Sequence, residues 1–452
     1  MLRKNISIHL FLLLISLFSI SCKKYLETKS VQNLSTPSTV GDLQALLDNP
    51  SFNIGLNAPN AGSDEYYLYY NDWQIFPDIS QKAHVWDAKL DDFDDWNTHY
   101  NVVFYANTVL DYLDKVPTLG QETKIANIKG SALFYRAYHL YELAQLYAPQ
   151  FDKATASTDQ SIPLRLNSNF NEPSTRSTAM ETYNQLINDL NESVSLLPVT
   201  PTANTRPSKT ACYALLARIY LQMSDYNKAK ENADAALGLY NTLVDFNDAT
   251  WINVNVSPSI IKKYNPEIIF YLSTGAPPNA SSRGRVDTNL YKTYDVSDLR
   301  KKAYFLKNTD GSYRFKGSYS AVISDLFNGL ATDELYLIRA ECNARSGNKD
   351  AALSDLNTLL QKRWPSNSFT SIQASSPDEA LKIILSERKK ELLYRGVRWA
   401  DLRRLNKDAQ FASTITRNLN GQIYTLLPND VRYTLLIPQE VITQTSLQQN
   451  QR

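Results

Sequence analysis

The chain has 452 residues, of which 43% are hydrophobic, enough apolar material for one large core or two merged ones. A formal net charge of +1 excludes a bulk electrostatic drive toward nucleic acid or an acidic membrane surface. Three cysteines exclude a disulfide scaffold, while 14 glycines and 19 prolines beside long Ala/Leu/Tyr-bearing segments favour a helix-dominated fold.

Arg3 and Lys4 precede an apolar run from Ile6 to Ile20, short for a membrane span and placed as a signal sequence is. It ends in Ser19-Ile20-Ser21-Cys22, and small residues directly before a cysteine resemble a bacterial lipoprotein processing site. On that resemblance residues 1–21 are a signal peptide, Cys22 is acylated and residues 22–40 are a lipidated tether.

The remainder, 41–452, reads as a single domain. A helix begins at Gly41 and turns Leu43, Leu46 and Leu47 to one face. Residues 49–95 are loop-rich, broken by Pro50, Pro59 and Pro77, yet crowded with Tyr66, Tyr67, Tyr69, Tyr70, Trp73, Phe76 and Trp86. The acidic run at 91–95 lacks the glycine and twelve-residue pattern of a calcium loop, so a solvated or capping role is expected. Helical spacing follows in 96–116 (Tyr100, Val103, Phe104, Val109, Leu113) and in 124–147 (Leu133, Ala137, Leu140, Tyr141, Ala144), stopped by Pro149. Residues 177–197 form a further helix ended by Pro198.

Two segments, 209–240 and 332–363, match each other. Aligning Ala217 with Ala340 aligns Tyr213 with Tyr336, Ala229 with Ala352 and Ser224 with Gly347. These are the small and aromatic positions of the tetratricopeptide helix–turn–helix unit. The helix pairs are therefore placed at about 99–147, 177–240 and 332–363, with closing helices and a tail at 378–452. Cys212 and Cys342 fall on apolar helical faces and are expected to be buried free thiols. Residues 245–330 are less regular, with a strand near 267–272 and a turn at Asn308-Thr309-Asp310-Gly311 between extended pieces.

The stretch from Ser386 to Arg404 organises the rest. Leu381, Ile384, Leu385 and Leu392 recur at helical spacing, and Glu391 precedes Arg395 by four residues, the favourable orientation for an ion pair on a helix. Gly396 fits the left-handed residue that closes a helix, and a second short helix from Arg398 turns Trp399, Leu402 and Leu405 inward. Seven basic and three acidic residues lie between Glu387 and Arg404. They read as a charged helix pair whose arginines tie neighbouring carboxylates and carbonyls, not as a polyanion site.

The same stretch resembles the "ER-x-x-EL-x-x-x-G-x-R-x-x-DL-x-R" signature of the SusD/RagB family of outer-membrane nutrient-binding lipoproteins. It is met by Glu387, Arg388, Glu391, Leu392, Gly396, Arg398, Asp401, Leu402 and Arg404. Residues 132–147 resemble the family's second helix, the Trp96…Tyr100…Asn107 pattern its early helix, and 433–450 its closing tail, with Thr443 and Thr445 where Asn and Pro are common. The resemblance implies an all-α dominated, tetratricopeptide-like right-handed superhelix with a loop-rich, partly β portion. It also implies a non-catalytic lipoprotein of the outer membrane, exposed at the cell surface, that captures glycan and delivers it to a SusC-like TonB-dependent transporter. The signature residues, with Trp399, would then be structural.

No catalytic pattern competes with this. His84, His99 and His139 lack metal-ligand spacing, no glycine loop cradles a phosphate and no Gly-x-Ser-x-Gly turn is present, so neither metal nor cofactor is expected. Sugars offer apolar C–H faces to aromatic rings and hydroxyls to polar partners. Tyrosine suits both needs, and its 28 copies outnumber the 16 Phe and 6 Trp together. The expected platform is Tyr66, Tyr67, Tyr70, Trp73 and Trp86 with Asp64, Asn71 and Asp72. Trp96, Arg283, Arg285, Tyr291 and Tyr294 form a secondary set. The competing reading is a tetratricopeptide-type scaffold or envelope-assembly lipoprotein, which predicts a protein partner and no sugar binding.

Overall fold

The computed structural model describes residues 36–452 apart from 92, 259 and 276, so the signal peptide, Cys22 and most of the tether lie outside the described residues. Ten helices of eight or more residues carry the architecture: α1 Val40–Leu47, α2 Asp95–Tyr112, α3 Glu122–Tyr147, α4 Ala179–Leu196, α5 Lys209–Gln222, α6 Tyr226–Leu239, α7 Thr332–Arg345, α8 Lys349–Gln361, α9 Pro377–Glu391 and α10 Arg398–Leu405.

Local chemistry starts these helices where they start. Thr39 opens α1 and Thr178 opens α4 with reciprocal capping boxes, closed by Asp42 and Glu181 respectively. Helix α3 is 26 residues long and buried almost all round from Ile128 onward, because α2 packs on one side and α4 on another. Gly130 permits the second contact: a Cβ there would lie 2.9 Å from Leu196 Cβ and from Leu197 Cγ. The matched repeats fold as the pairs α5–α6 and α7–α8, and α6 packs against α7 although a long irregular segment separates them in sequence. Ser224 and Gly347, equivalent in the alignment, both turn through the left-handed region at φ 59° and 85°. Cys212 and Cys342 are buried free thiols.

The irregular portion is built from short strands that, among the described residues, pair two at a time. These are β1 Tyr66–Tyr67, β2 Gln160–Pro163, β3 Arg176–Thr178, β4 Ile268–Phe270, β5 Ser273–Gly275, β6 Arg285–Val286, β7 Phe305–Lys307, β8 Tyr313–Phe315, β9 Asp325–Phe327, β10 Leu330–Ala331, β11 Ile415–Leu419 and β12 Gln422–Leu426. β7 and β8 form the hairpin around the expected Asn308–Gly311 turn. β1 pairs with β6, which joins two loop regions more than two hundred residues apart.

Three apolar clusters are formed by the described residues. The largest centres on α1–α6, reaches α7 and α10, and takes in Trp86, Trp96 and Trp399. A second, rich in tyrosine and phenylalanine, underlies the irregular portion, and a third binds α7, α8 and α9. One expectation fails at the end of α9, which stops at Glu391. Tyr394 and Gly396 then both adopt left-handed conformations, φ 58° and 76°, and carry Arg395 off the helix. The Glu391–Arg395 pair therefore does not form; Glu391 instead accepts from Arg300 (2.9 Å) and Arg363 (2.7 Å), and Arg395 donates to Asp333 (2.9 Å).

Candidate ligand-binding surface

The two-residue ladder of β1 and β6 sets Tyr66 opposite Val286 and Tyr67 opposite Arg285. Cross-strand partners share a face, so the first pair turns into the core, each 2% exposed, and the second turns toward solvent. Leu68 turns inward again and Tyr69 outward, 45% exposed. The Arg285 guanidinium lies 4.1 Å over the Tyr69 ring, and Tyr67 meets that ring edge-on at 5.8 Å. Arg285 also donates to Asp72 (2.8 Å) and Asp310 (3.3 Å), and Arg283 lies 3.5 Å from Asp72. Partial desolvation and the neighbouring Tyr67 raise the Tyr69 phenol above its ordinary range.

Beside this centre Tyr70 stacks on Trp73 at 5.9 Å, Asn71 is exposed and the Trp73 indole N–H donates to the Gln81 carbonyl (3.1 Å). Tyr291 and Tyr313 stack at 3.7 Å beside the β7–β8 hairpin, and the Lys301 ammonium sits 4.9 Å from the Tyr291 ring centre. Ring faces, a planar cation and half-exposed carboxylates thus share one surface. That combination suits a ligand with both apolar faces and hydroxyl groups.

Five expected residues are elsewhere. Tyr66 donates its hydroxyl to the Ala61 carbonyl (2.7 Å), and Trp86, 3% exposed, donates to the Gly62 carbonyl (2.8 Å). Arg417 of β11 lies 4.9 Å from both rings and donates to the carbonyls of Ser63, Tyr66 and His84, so a strand from the far end of the chain covers this segment. Trp96 is buried against Tyr100 (4.8 Å) and Tyr147 (4.9 Å). Tyr294 is buried with its hydroxyl on the Lys390 carbonyl (2.8 Å). Asp64 is held by Arg398 (2.6 and 2.8 Å) and Lys389 (2.8 Å); burial alone would raise its pKa, but these cations keep the carboxyl well below the usual range. Three residues of the surface escaped the sequence reading: Tyr69, Asp310 and Tyr313. Tyr69 had a signal, the alternation of Tyr67 and Tyr69 about Leu68; the other two arrive only through strand pairing.

The signature stretch is a buried ionic clasp. Glu387 and Glu391 accept from Arg300, Glu391 also from Arg363, and Arg363 reaches on to Glu267 (2.7 Å). Asp401 accepts from Arg388 and Arg404, both at 2.8 Å; burial opposes its ionisation, yet the two arginines bring its pKa down to about 2. Arg404 forks onto Glu341 at 2.6 and 2.9 Å. Trp399 donates to the Tyr433 carbonyl (3.2 Å) and fills the space that glycine leaves at position 62.

A family model described as "Starch-binding associating with outer membrane" matches residues 24–221, and the SusD family model matches residues 332–444. The chain belongs to the SusD/RagB family. Within that family, SusD-like protein P2 of Formosa agariphila is 24% identical, the match covering 69% of this chain and 71% of that protein. A SusD superfamily protein from Bacteroides thetaiotaomicron has the same fold, with TM-score 0.73 at 22% identity over 92% of this chain and 100% of that one. A laminarin-binding SusD-like protein superposes with TM-score 0.69 at 18% identity over 92% and 99% of the two chains. The SusD/RagB family is associated with the outer membrane, and among the described residues no helix is long and apolar enough to cross a membrane.

Proposed function

We propose that this SusD/RagB member is a non-catalytic glycan-binding protein that captures polysaccharide or oligosaccharide at the cell surface and passes it to a TonB-dependent transporter. The carrying observation is the β1–β6 ladder, which brings Tyr67, Tyr69 and Asp72 together with Arg283 and Arg285 on one face. Exposed or half-exposed rings there supply stacking surfaces for sugar C–H faces, and the Arg–Asp pairs supply directional partners for hydroxyls. The family relationship and the fold shared with a laminarin-binding protein support the same reading. On this reading Cys22 carries the acyl chains that hold the protein at the outer membrane, each buried methylene adding about 0.8 kcal/mol.

Affinity electrophoresis in polysaccharide-containing gels tests the site. Replacing Tyr69 and Tyr70 together by alanine is expected to abolish the retardation that the parent protein shows, with the melting temperature nearly unchanged. Undiminished retardation of that variant refutes this surface as the binding site. Co-purification with a TonB-dependent transporter from solubilised outer membranes, lost on Cys22→Ser, tests delivery and anchoring together.

A further inference from the structure

Deep in the molecule, α3, α5, the segment around Pro59, Asn328 and the signature stretch line a cavity of about 20 Å³. That is room for one or two water molecules. Six polar atoms of its walls find no hydrogen-bond partner among the described residues: Gln145 Oε1, Gln222 Oε1, Asn328 Nδ2, Arg388 Nη1 and Nη2, and Arg395 Nε. All five residues are at least nine-tenths buried. Arg388 Nη2 also stands 3.8 Å from Glu334, an ion-pair separation too long for a hydrogen bond. Glu142 lines the same space, and burial pushes its pKa up to about 7 against the opposing charge of Arg218.

Orphaned polar groups at this depth are costly, and six around one cavity would rival the marginal stability of a domain. Some species must satisfy them, and the wall identifies it. Four of the atoms are donors and two are acceptors, and a neighbouring carboxylate adds further acceptors. An anion such as chloride accepts only, leaving both glutamine oxygens bare, whereas water does both. Charge agrees. Arg218 is matched by Glu334 (2.6 Å), Arg388 by Asp401 (2.8 Å) and Arg395 by Asp333 (2.9 Å), so with Glu142 the walls carry no cationic excess. We propose that this cavity is a built hydration site, in which one or two ordered waters join Arg388 and Arg395 of the signature stretch to Gln145 of α3 and Gln222 of α5. Gly396 belongs to the design, because a Cβ there would lie 2.5 Å from Asn328 Nδ2 and push that donor out of the wall.

A high-resolution crystal structure of the full chain, with a parallel crystal soaked in sodium bromide, tests this. Expected is a density peak about 2.7–3.2 Å from Arg388 Nη and from a glutamine oxygen, with no anomalous bromide signal. A bromide peak, or walls closed on one another with no peak, overturns the proposal. Gln222→Met supplies an independent reading, since it removes one acceptor while nearly conserving volume. Its melting temperature should fall by roughly 2 °C or more. An unchanged or higher melting temperature would show that the wall needs no hydration. The parent crystal decides the matter even if the variant fails to fold.

Discussion

Tyr66 and Tyr67 are neighbours in the chain and opposites in the fold, because a strand turns successive side chains to opposite faces. The residue scale shows the same logic in charged groups. Asp64, expected in the ligand platform, and Asp401, expected to be structural, are both held by arginines. For Asp401 the folded pKa of about 2 lies below its ordinary 3.8. A depressed acid stabilises the fold fully above its unfolded pKa and loses that contribution as pH falls through the folded one. Asp401→Asn should therefore lower stability at pH 7 by about 3–5 kcal/mol, since Arg388 is left beside an uncharged partner. The gap between variant and parent should narrow as pH drops from about 4 to 2, followed by urea denaturation at each pH. Gly396→Ala is expected to cost about 2 kcal/mol or more, combining a left-handed backbone (φ 76°) with the crowding of Asn328.

At the scale of elements, α2, α3 and α4 are fastened through one buried arginine. Arg136 forks onto Asp189 of α4 with two bonds of 2.7 Å and donates to Asn107 of α2 at 3.1 Å. Arg136→Met should lower stability by about 3–5 kcal/mol because Asp189 is left buried and uncompensated. Adding Asp189→Leu should recover most of the loss; denaturant titration of the two variants checks both statements. The β1–β6 ladder is the opposite kind of element, two residues long and important for what it displays. Arg285→Ala should leave the melting temperature within a few degrees while weakening glycan binding at least tenfold, about 1.4 kcal/mol, by calorimetric titration.

Across the whole molecule, contacts between distant parts of the chain close the structure. The signature stretch holds residue 64 through Arg398, residue 300 through Glu387 and Glu391, and residues 333 and 341 through Arg395 and Arg404. The tail closes the other end of α3: Leu435 N–H donates to the Leu146 carbonyl (2.8 Å), Asn450 to the Tyr147 carbonyl (2.9 Å), and Arg176 to the Gln448 carbonyl (3.0 Å). A chain ending at residue 444 should still fold, with its calorimetric transition lowered by roughly 2–5 °C.

The helices, the matched repeats and the family signature were legible from the sequence, because each is written as a pattern of residue spacing within about 35 residues. The candidate surface was legible only in part. Aromatic density drew attention to the 66–86 loop, but density alone does not separate a displayed ring from one folded under a neighbour. That choice fell to Arg417, which covers Tyr66 and Trp86, and to β6, which turns Tyr67 outward beside Tyr69. Helix periodicity and turn chemistry belong to short stretches of chain, so residue order determined them. Which face of a loop meets solvent depends on strands hundreds of residues away, and only the tertiary structure decided it.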